Sequence, residues 1–438
     1  MLGTEDNEYI TRVGPGTPMG ALLRQYWVPA MLSSELPRPD GPPVRVLLLG
    51  EKLIGFRDSA GRVGLLANLC PHRGASLFFA RNEGCGLRCV YHGWKFDVDG
   101  RCTDMPSEPP DSNFKDKVRA NAYPCVERGG LVWAYLGPRE VPPPLPDLEA
   151  TQLPDGEYNA IAYQRNCNWL QGMEGDIDTA HIGFLHFGSD QPDDYLPGTF
   201  KYYALKDRAP RYAVLDTPYG AMYGAYRPAG PGQYYWRIAQ FFFPFWTMPP
   251  TGLLGGHMVG RAWVPMDDEH MMMFMVLPAV SAEQRTRLGS QGPVLPELLP
   301  NTTGWLGRFR LAACEDNDYL MDRDAQEQDE EYSGITGIHL QDQAITESMG
   351  PIFDRSQEHL GSSDAMVIRV RRLLLKAARA LAADDTVPPG VDSPAAYRQR
   401  SGGVILAADA DWVSATRSLR EAYVSHPELD PAVVGGLV

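Results

Sequence analysis

The sequence predicts an α+β protein built as a small all-β domain followed by a larger mixed domain. Three observations carry that prediction. From Val44 to Tyr135 the chain consists of short β-rich runs broken by turn residues. A proline-rich stretch, VPPPLPDLEA at 141–150, then reads as a linker. Beyond it come further strand-like runs and, near the end, one strongly helical segment. The expected boundaries are a helical N-terminal segment at 1–37, the β domain at 38–150, and a mixed domain at 151–438 with a helical C-terminus.

The elements follow in order. TPMGALLRQY at 17–26 predicts a short helix, with Thr17 as cap and Pro18 in the first turn, where its missing N–H costs nothing. VRVLLLG, KLIGFRD and VGLLAN are strands, with Asp58-Ser59-Ala60-Gly61 as a hairpin turn and Asp99-Gly100 as another. In the second domain, strands are expected near 158–165, 212–227, 233–243, 258–265 and 271–278. The clearest helix is DAMVIRVRRLLLKAARAL, 364–381, capped by Ser362 or Ser363.

A length of 438 residues suits two or three domains, and 44% hydrophobic with 22% charged residues is an ordinary globular balance. Seven cysteines, an odd number, form no disulfide framework, which points to a reducing cytoplasm. The N-terminus MLGTEDNEYITRVG is acidic and lacks an apolar core, so it is no signal peptide. The uncharged stretch 238–256 contains Pro244, Pro249 and Pro250 and reads as an aromatic strand and loop, not a membrane span. A net charge of −15 argues against nucleic acid. It leaves either an acidic face for a basic redox partner or a plain solvated surface.

Two half-motifs carry the first chemistry. Cys70-Pro71-His72-Arg73-Gly74 is C-x-H, and Cys89-Val90-Tyr91-His92-Gly93-Trp94 is C-x2-H. A Rieske [2Fe–2S] cluster needs one Cys and one His from each of two loops: two thiolates hold one iron and two imidazoles the other. Structural zinc accepts the same ligand set, but its sites pair Cys with Cys and His with His at wider spacings. Respiratory Rieske proteins carry an extra Cys in each loop. The matching positions here are Ala75 and Tyr91, so that disulfide cannot form, which favours the lower-potential type.

Residues 166–188, NCNWLQGMEGDIDTAHIGFLHFG, hold Asp178, His181 and His186 close together. On a straight helix Asp178 and His181 lie about 60° apart and share a face. His181 and His186 lie about 140° apart, so they converge only if the helix breaks, and Gly183 is placed to break it. Alone, the pair also reads as two aromatics in a buried, hydrogen-bonded stretch. Beside a one-electron carrier it suggests a 2-His-1-carboxylate Fe(II) site with positions open to O2.

At this point the chain resembles the oxygenase (α) subunit of a Rieske non-haem iron oxygenase, most closely the phthalate 4,5-dioxygenase group, which includes aryl-ether demethylases. The resemblance runs from about Tyr9 to about Ala380. It rests on TRVGPGTPMG, CPHRGASL, CVYHGWKF, NCNWLQGMEGDIDTAHIGFLH and EHLGSSDAMVIRVRRLLL. It implies a catalytic domain whose twisted antiparallel sheet is flanked by helices in a helix-grip-like way. It implies that Cys70, His72, Cys89 and His92 hold the cluster, and that His181, His186 and Asp364 hold the iron. Without it, Asp364 reads as a first-turn acid complementing the helix dipole. Asp178 matches the aspartate that passes electrons from a neighbouring subunit's cluster; its plainer reading is an acceptor orienting His181. Glu174 is a rival carboxylate.

For a pocket, Asn166, Gln171, Gln240 and the aromatic run 241–246 are candidates, as is a core role for the aromatics. Arg208, Arg211, Arg227 and Arg237 are the cations available to an anionic ring substrate. The chain has no G-x-G-x-x-G fingerprint, so electrons come from a separate NAD(P)H-dependent reductase. The expected reaction is O2-dependent hydroxylation of an aromatic carboxylate such as phthalate, by cis-dihydroxylation. Aryl-ether demethylation or diaryl-ether cleavage is the alternative, and a non-catalytic Rieske electron carrier a remote one. The resemblance further implies a homo-oligomer, a trimer or stacked trimers, with no nucleic acid or membrane partner.

Overall fold

A computed structural model of the chain describes residues 2–256, 258–279, 295–424 and 426. Two short helices open it, α1 (Thr4–Thr11) and α2 (Pro18–Leu23). Thr17 caps α2 as expected, its hydroxyl accepting from the Gly20 N–H at 3.1 Å. The N-terminal segment does not stay helical. Trp27–Leu32 is a strand, β1, buried along its whole length.

The β portion adds β2 (Val44–Leu48), β3 (Glu51–Arg57), β4 (Val63–Ala67), β5 (Arg81–Asn82), β6 (Leu87–Arg88), β7 (Lys95–Phe96), β8 (Cys102–Asp104), β9 (Ala122–Tyr123), β10 (Cys125–Arg128) and β11 (Leu131–Tyr135). With β1 they make three antiparallel sheets, in the orders β1-β11-β10, β2-β3-β4-β9 and β5-β6-β7-β8. The hairpin between β3 and β4 closes as read. Asp58 Oδ1 accepts from the N–H of Ala60 and of Arg62, each at 2.9 Å. The two Cys/His loops lie between β4 and β5 and between β6 and β7. They are seated on Ile54, Phe56, Leu66, Leu77, Leu87 and Phe96, which are buried together with Cys70, Cys89 and Trp94. The proline-rich stretch packs against both ends of the chain. The Trp27 indole donates to Pro143 O at 2.6 Å, and the Asp147 N–H to Pro394 O at 3.1 Å.

The larger sheet comprises β12 (Tyr158–Arg165), β13 (Arg211–Thr217), β14 (Gly220–Gly230), β15 (Gln233–Phe242), β16 (Trp246–Met248), β17 (Gly260–Pro265), β18 (Met271–Pro278) and β19 (Gly402–Ala407). The order is β12-β18-β17-β16-β15-β14-β13, all antiparallel, and β19 pairs with β15 along Gln233–Ile238, beyond the reach of β16. The single strand expected near 212–227 is two. Thr217 pairs with Gly220 across Pro218-Tyr219, where a proline cannot extend the ladder.

Helices cover this sheet: α3 (Trp169–Ile177), α4 (Ile182–Leu185), α5 (Phe200–Lys206), α6 (Arg323–Glu327), α7 (Ile338–Ser348) and α8 (Ala365–Asp384). α8 buries Met366, Val367, Val370, Leu374, Leu375 and Ala378 at helical spacing, against α1, α2, β13 and β14. Neither Ser362 nor Ser363 caps it. A 3-10 turn, Ser362–Asp364, leads in, and the Asp364 carboxylate accepts from the Gly361 N–H at 2.6 Å. Glu174 on α3 meets Arg355 (3.0 Å) and Arg371 (2.5 Å), and Arg371 also bonds Glu358. That buried network ties α3 to α8 and uses up both oxygens of Glu174. Among the described residues no helix is long and apolar enough to cross a membrane.

Candidate functional site

The two Cys/His loops are built alike. In the first, the Cys70 N–H donates to Ala75 O (2.8 Å) and the Gly74 N–H to Cys70 O (2.9 Å). In the second, the Cys89 N–H donates to Trp94 O (2.8 Å) and the Gly93 N–H to Cys89 O (2.9 Å). Each turn needs left-handed backbone at its glycine, with φ of 74° at Gly74 and 79° at Gly93. The twin turns bring four side chains together. Cys70 and Cys89 are buried, unbridged and face each other, and the rings of His72 and His92 stand 4.4 Å apart. Burial pushes the Cys70 thiol up to about 11, against the pull of the His72 and Arg73 N–H groups. Trp94 lies flat on His72 (4.1 Å, 11°), its indole anchored to Ser107 Oγ. His92 Nδ1 is buried with no hydrogen-bond partner. Two thiols and an orphaned imidazole nitrogen facing a common space fit a Cys2His2 cluster. Cys89→Ser is expected to bleach the visible spectrum of the purified protein and release acid-labile sulfide. A colourless wild type holding zinc alone would defeat this assignment.

The second centre forms where α3 ends. The helix stops at Ile177, and Asp178, in extended conformation, turns its Oδ1 onto the Ala180 N–H at 2.7 Å. The break therefore falls before His181 and not at Gly183, which lies inside α4. A local Asp-to-backbone bond outcompetes the helix at Asp178. His181 and His186 flank the single turn of α4, and their Nε2 atoms lie 3.1 Å apart. The third group is Asp342 on α7, whose Oδ1 is 3.6 Å from His181 Nε2 and 3.3 Å from His186 Nε2. Among the described residues these three form the one group of this kind.

Hydrogen bonding fixes what the three atoms offer. His186 Nδ1 lies 2.7 Å from Gln341 Oε1, which only accepts, so that nitrogen carries the proton. His181 Nδ1 faces Asp178 Oδ2 at 3.4 Å. Both Nε2 lone pairs then point at a carboxylate oxygen, and three acceptors converge with no donor between them. A cation resolves that arrangement, and spacings slightly above 3 Å suit neighbouring ligands of one metal with bonds of about 2.1 Å. The field agrees. Burial disfavours charge on His181, yet the hydrogen bond to Asp178 and the charges of Asp342 and Asp178 raise its pKa. Burial would lift Asp342, but with no cation bound the contact with His186, and the charge that His186 and His181 carry when protonated, hold it far below the usual carboxylate range.

Asp364, expected as the third ligand, lies apart from the group. The structure does not bring it to the two histidines, because its carboxylate is committed to the turn ahead of α8. Glu174 is consumed by Arg355 and Arg371. Asp342, Gln341 and Thr179 went unread in the sequence, although α7 carries a signal. Its buried residues are Ala344 and the polar Gln341, Gln343, Thr346 and Glu347, whereas Ile338, Ile345 and Met349 are exposed. A helix with its polarity inverted in this way faces something polar inside.

One face of the large sheet borders this centre. Register places Tyr212 opposite Ala225, Ala225 opposite Arg237, and Arg227 opposite Tyr235. Tyr212, Tyr223, Arg227, Tyr235 and Arg237 therefore share a face. Both arginines are buried, and neither has a carboxylate partner among the described residues. Arg237 bonds the Thr179 hydroxyl and Pro250 O and lies over the Phe200 ring at 3.7 Å. Its Nε, both terminal nitrogens of Arg227, and the hydroxyls of Tyr212 and Tyr223 have no partner. Burial and the charge of Arg237 push Arg227 down to about 10. Of the other pocket candidates, Arg208 bonds Gly188 O and Arg211 is exposed. Gln171 is fully bonded to Thr346, Gly350 and Phe353, and Gln240 to Tyr219 and Arg400. Phe241, Phe242, Phe243, Phe245 and Trp246 are core.

Residues 26–124 match the family description Rieske [2Fe-2S] domain, and residues 134–432 match LigXa C-terminal domain like. The chain is similar to the 3-chlorobenzoate-3,4-dioxygenase oxygenase subunit of Comamonas testosteroni, 48% identical over 97% of this chain and 100% of that one. It is also similar to the phthalate 4,5-dioxygenase oxygenase subunit of Pseudomonas putida, 36% identical over 94% of each. In fold it is like dicamba monooxygenase bound to dicamba, with a TM-score of 0.55, 18% identity, and coverage of 83% of this chain and 99% of that one.

Proposed function

Because this chain belongs to the Rieske non-haem iron oxygenases, as an oxygenase (α) subunit, we propose that it hydroxylates an aromatic carboxylate with O2 and electrons from a separate NAD(P)H-dependent reductase. The family's cofactors are a Rieske [2Fe–2S] cluster and a mononuclear iron. Cys70, His72, Cys89 and His92 would hold the first, and His181, His186 and Asp342 the second. An iron on those three residues would leave positions for O2, and the cluster would supply the electrons.

The observation that carries the substrate class is the buried, unpaired arginine pair on the sheet face beside His181. Two guanidiniums away from water and away from carboxylates are costly unless the ligand supplies the anion. A benzoate carboxylate matches their planar donor forks, and the free hydroxyls of Tyr212 and Tyr223 offer further donors. Phe200, stacked on Arg237, shields that side from water. With its carboxylate held there, the ring is oriented toward the two histidines. Benzoates, phthalate and 3-chlorobenzoate among them, are the class this arrangement fits. Cis-dihydroxylation adds both atoms of one O2, with two electrons and two protons, and no bond to a ring substituent breaks.

Turnover of a benzoate panel under 18O2 with a reductase tests the reading. Two labels per product mark dihydroxylation, whereas a phenol plus formaldehyde from a methoxybenzoate marks demethylation. Arg227→Gln and Arg237→Gln are each expected to lower kcat/KM for a benzoate about 10²-fold, mostly through KM. The matching benzamide should lose little. A variant that treats acid and amide as wild type does would sink the proposed anion site.

We place the active assembly as a head-to-tail ring. Exposed apolar residues rim both centres: Leu69, Phe79, Val90 and Tyr91 near the cluster loops, and Phe184, Ile338, Ile345 and Met349 near the second centre. In a closed ring each apolar rim of one copy meets the other rim of the next.

A further inference from the structure

We infer that Gln341 is a positioning residue for His186, locked in its working orientation by Glu331. The inference rests on the reading of His186 as a ligand. The two histidines are held differently. His181 faces a carboxylate, Asp178, while the partner of His186 is a neutral amide. An amide can orient a histidine either way. With its oxygen inward it accepts from Nδ1–H and leaves the Nε2 lone pair free. With its NH2 inward it donates to Nδ1 and forces the proton onto Nε2, where it would block a metal.

Gln341 has no such freedom. Its Nε2 donates to Glu331 Oε1 and to Ile335 O, both at 2.8 Å. Flipping the amide would set its oxygen against two acceptors and its NH2 against His186 Nδ1. Two donor bonds on the far side therefore determine the near side, and the tautomer of His186 follows. Gln341 is 2% exposed, so little of it meets the solvent of the neighbouring cleft. The neighbouring residue on α7 is Asp342. One helix thus supplies the carboxylate of the centre and sets the proton on its second histidine, and the two functions stay in register through the backbone of α7. The anchor, Glu331, stands on the wall of a solvent-open cleft of about 320 Å³ that Gln341 and His186 also line.

The test uses the full chain with its cluster in place. Gln341→Met keeps the volume and removes the acceptor, and Glu331→Ala removes one lock. Protein that keeps its cluster but is stripped of the mononuclear iron, labelled with 15N-histidine, reports the His186 tautomer directly. Wild type is expected to show Nδ1–H alone, Gln341→Met a mixture, and Glu331→Ala a smaller shift the same way. Fe(II) affinity by chelator competition should fall about 10- to 100-fold in Gln341→Met and less in Glu331→Ala, with the cluster spectrum unchanged. Gln341→Asn, which keeps an amide, should recover part of the affinity. Unchanged tautomer and iron affinity in a folded Gln341→Met protein would overturn the proposal. His186→Ala is the separate arm for the ligand reading. Full iron in that variant removes the reading itself, while iron loss there with wild-type behaviour of Gln341→Met removes only the positioning role.

Discussion

Asp342→Ala is expected to take the purified chain from about three irons to about two and oxygenation to background, while Asp364→Ala keeps both. The contrast follows from where the two carboxylates are. Asp342 Oδ1 faces both Nε2 atoms of the histidine pair, and without it two neutral imidazoles are left to hold a dication. Asp364 spends its carboxylate on the Gly361 N–H. Its loss should cost stability on the scale of a helix cap, about 0.5–2 kcal/mol, and nothing in chemistry. Iron and acid-labile sulfide assays, with the visible spectrum as a control for the cluster, separate the cases. An Asp342→Ala protein with full iron, or an Asp364→Ala protein short of one iron, would return the ligand role to Asp364.

How much of this was legible in the sequence depends on how local each feature is. The cluster loops were readable because each lies within a few residues, and the twin turns around Gly74 and Gly93 are set by local backbone needs. His181 and His186 were readable for the same reason. The break that brings them together falls at Asp178 and not at Gly183, because a side-chain bond from Asp178 to the Ala180 N–H ends the helix. Asp342 is far away in the chain, and only tertiary packing brings it in. Asp364 enters the ligand set only through the family resemblance; from the residues alone it reads as a first-turn acid complementing the helix dipole. The arginines show the same limit. Four were candidates, and only the register of β13, β14 and β15 shows that Arg227 and Arg237 share a buried face with Tyr212 and Tyr223. The aromatic run 241–246 reads as strand and loop with both a core and a pocket role open, and packing settles its aromatics as core.

Two inactive variants, mixed, are expected to restore each other. Cys89→Ser lacks the cluster but keeps His181, His186 and Asp342, whereas His186→Ala keeps the cluster and lacks the iron site. If electrons pass only within a chain, neither alone nor their mixture turns over. In a head-to-tail ring, the cluster of one copy serves the iron of the next, and reassembled mixtures regain a substantial fraction of wild-type activity. Such a crossing would depend on Asp178. Its Oδ1 is fixed by the Ala180 N–H, its Oδ2 faces His181 Nδ1, and its side chain remains 26% exposed. One side of the carboxylate is thus open to a donor from outside the chain. Among the described residues no hydrogen bond or ion pair joins it to the cluster loops of its own chain. Asp178→Asn should keep both metal centres and the oligomer yet slow reoxidation of the reduced cluster by substrate and O2 about 10²-fold or more, read by stopped flow. Placement gives the sharper result. Added to the Cys89→Ser chain, where Asp178 serves an intact iron, Asp178→Asn should abolish the recovered activity; added to the His186→Ala chain, it should change nothing. Recovery that ignores which chain carries the substitution would rule out Asp178 as the crossing point, and a monomer active at high dilution would rule out the ring.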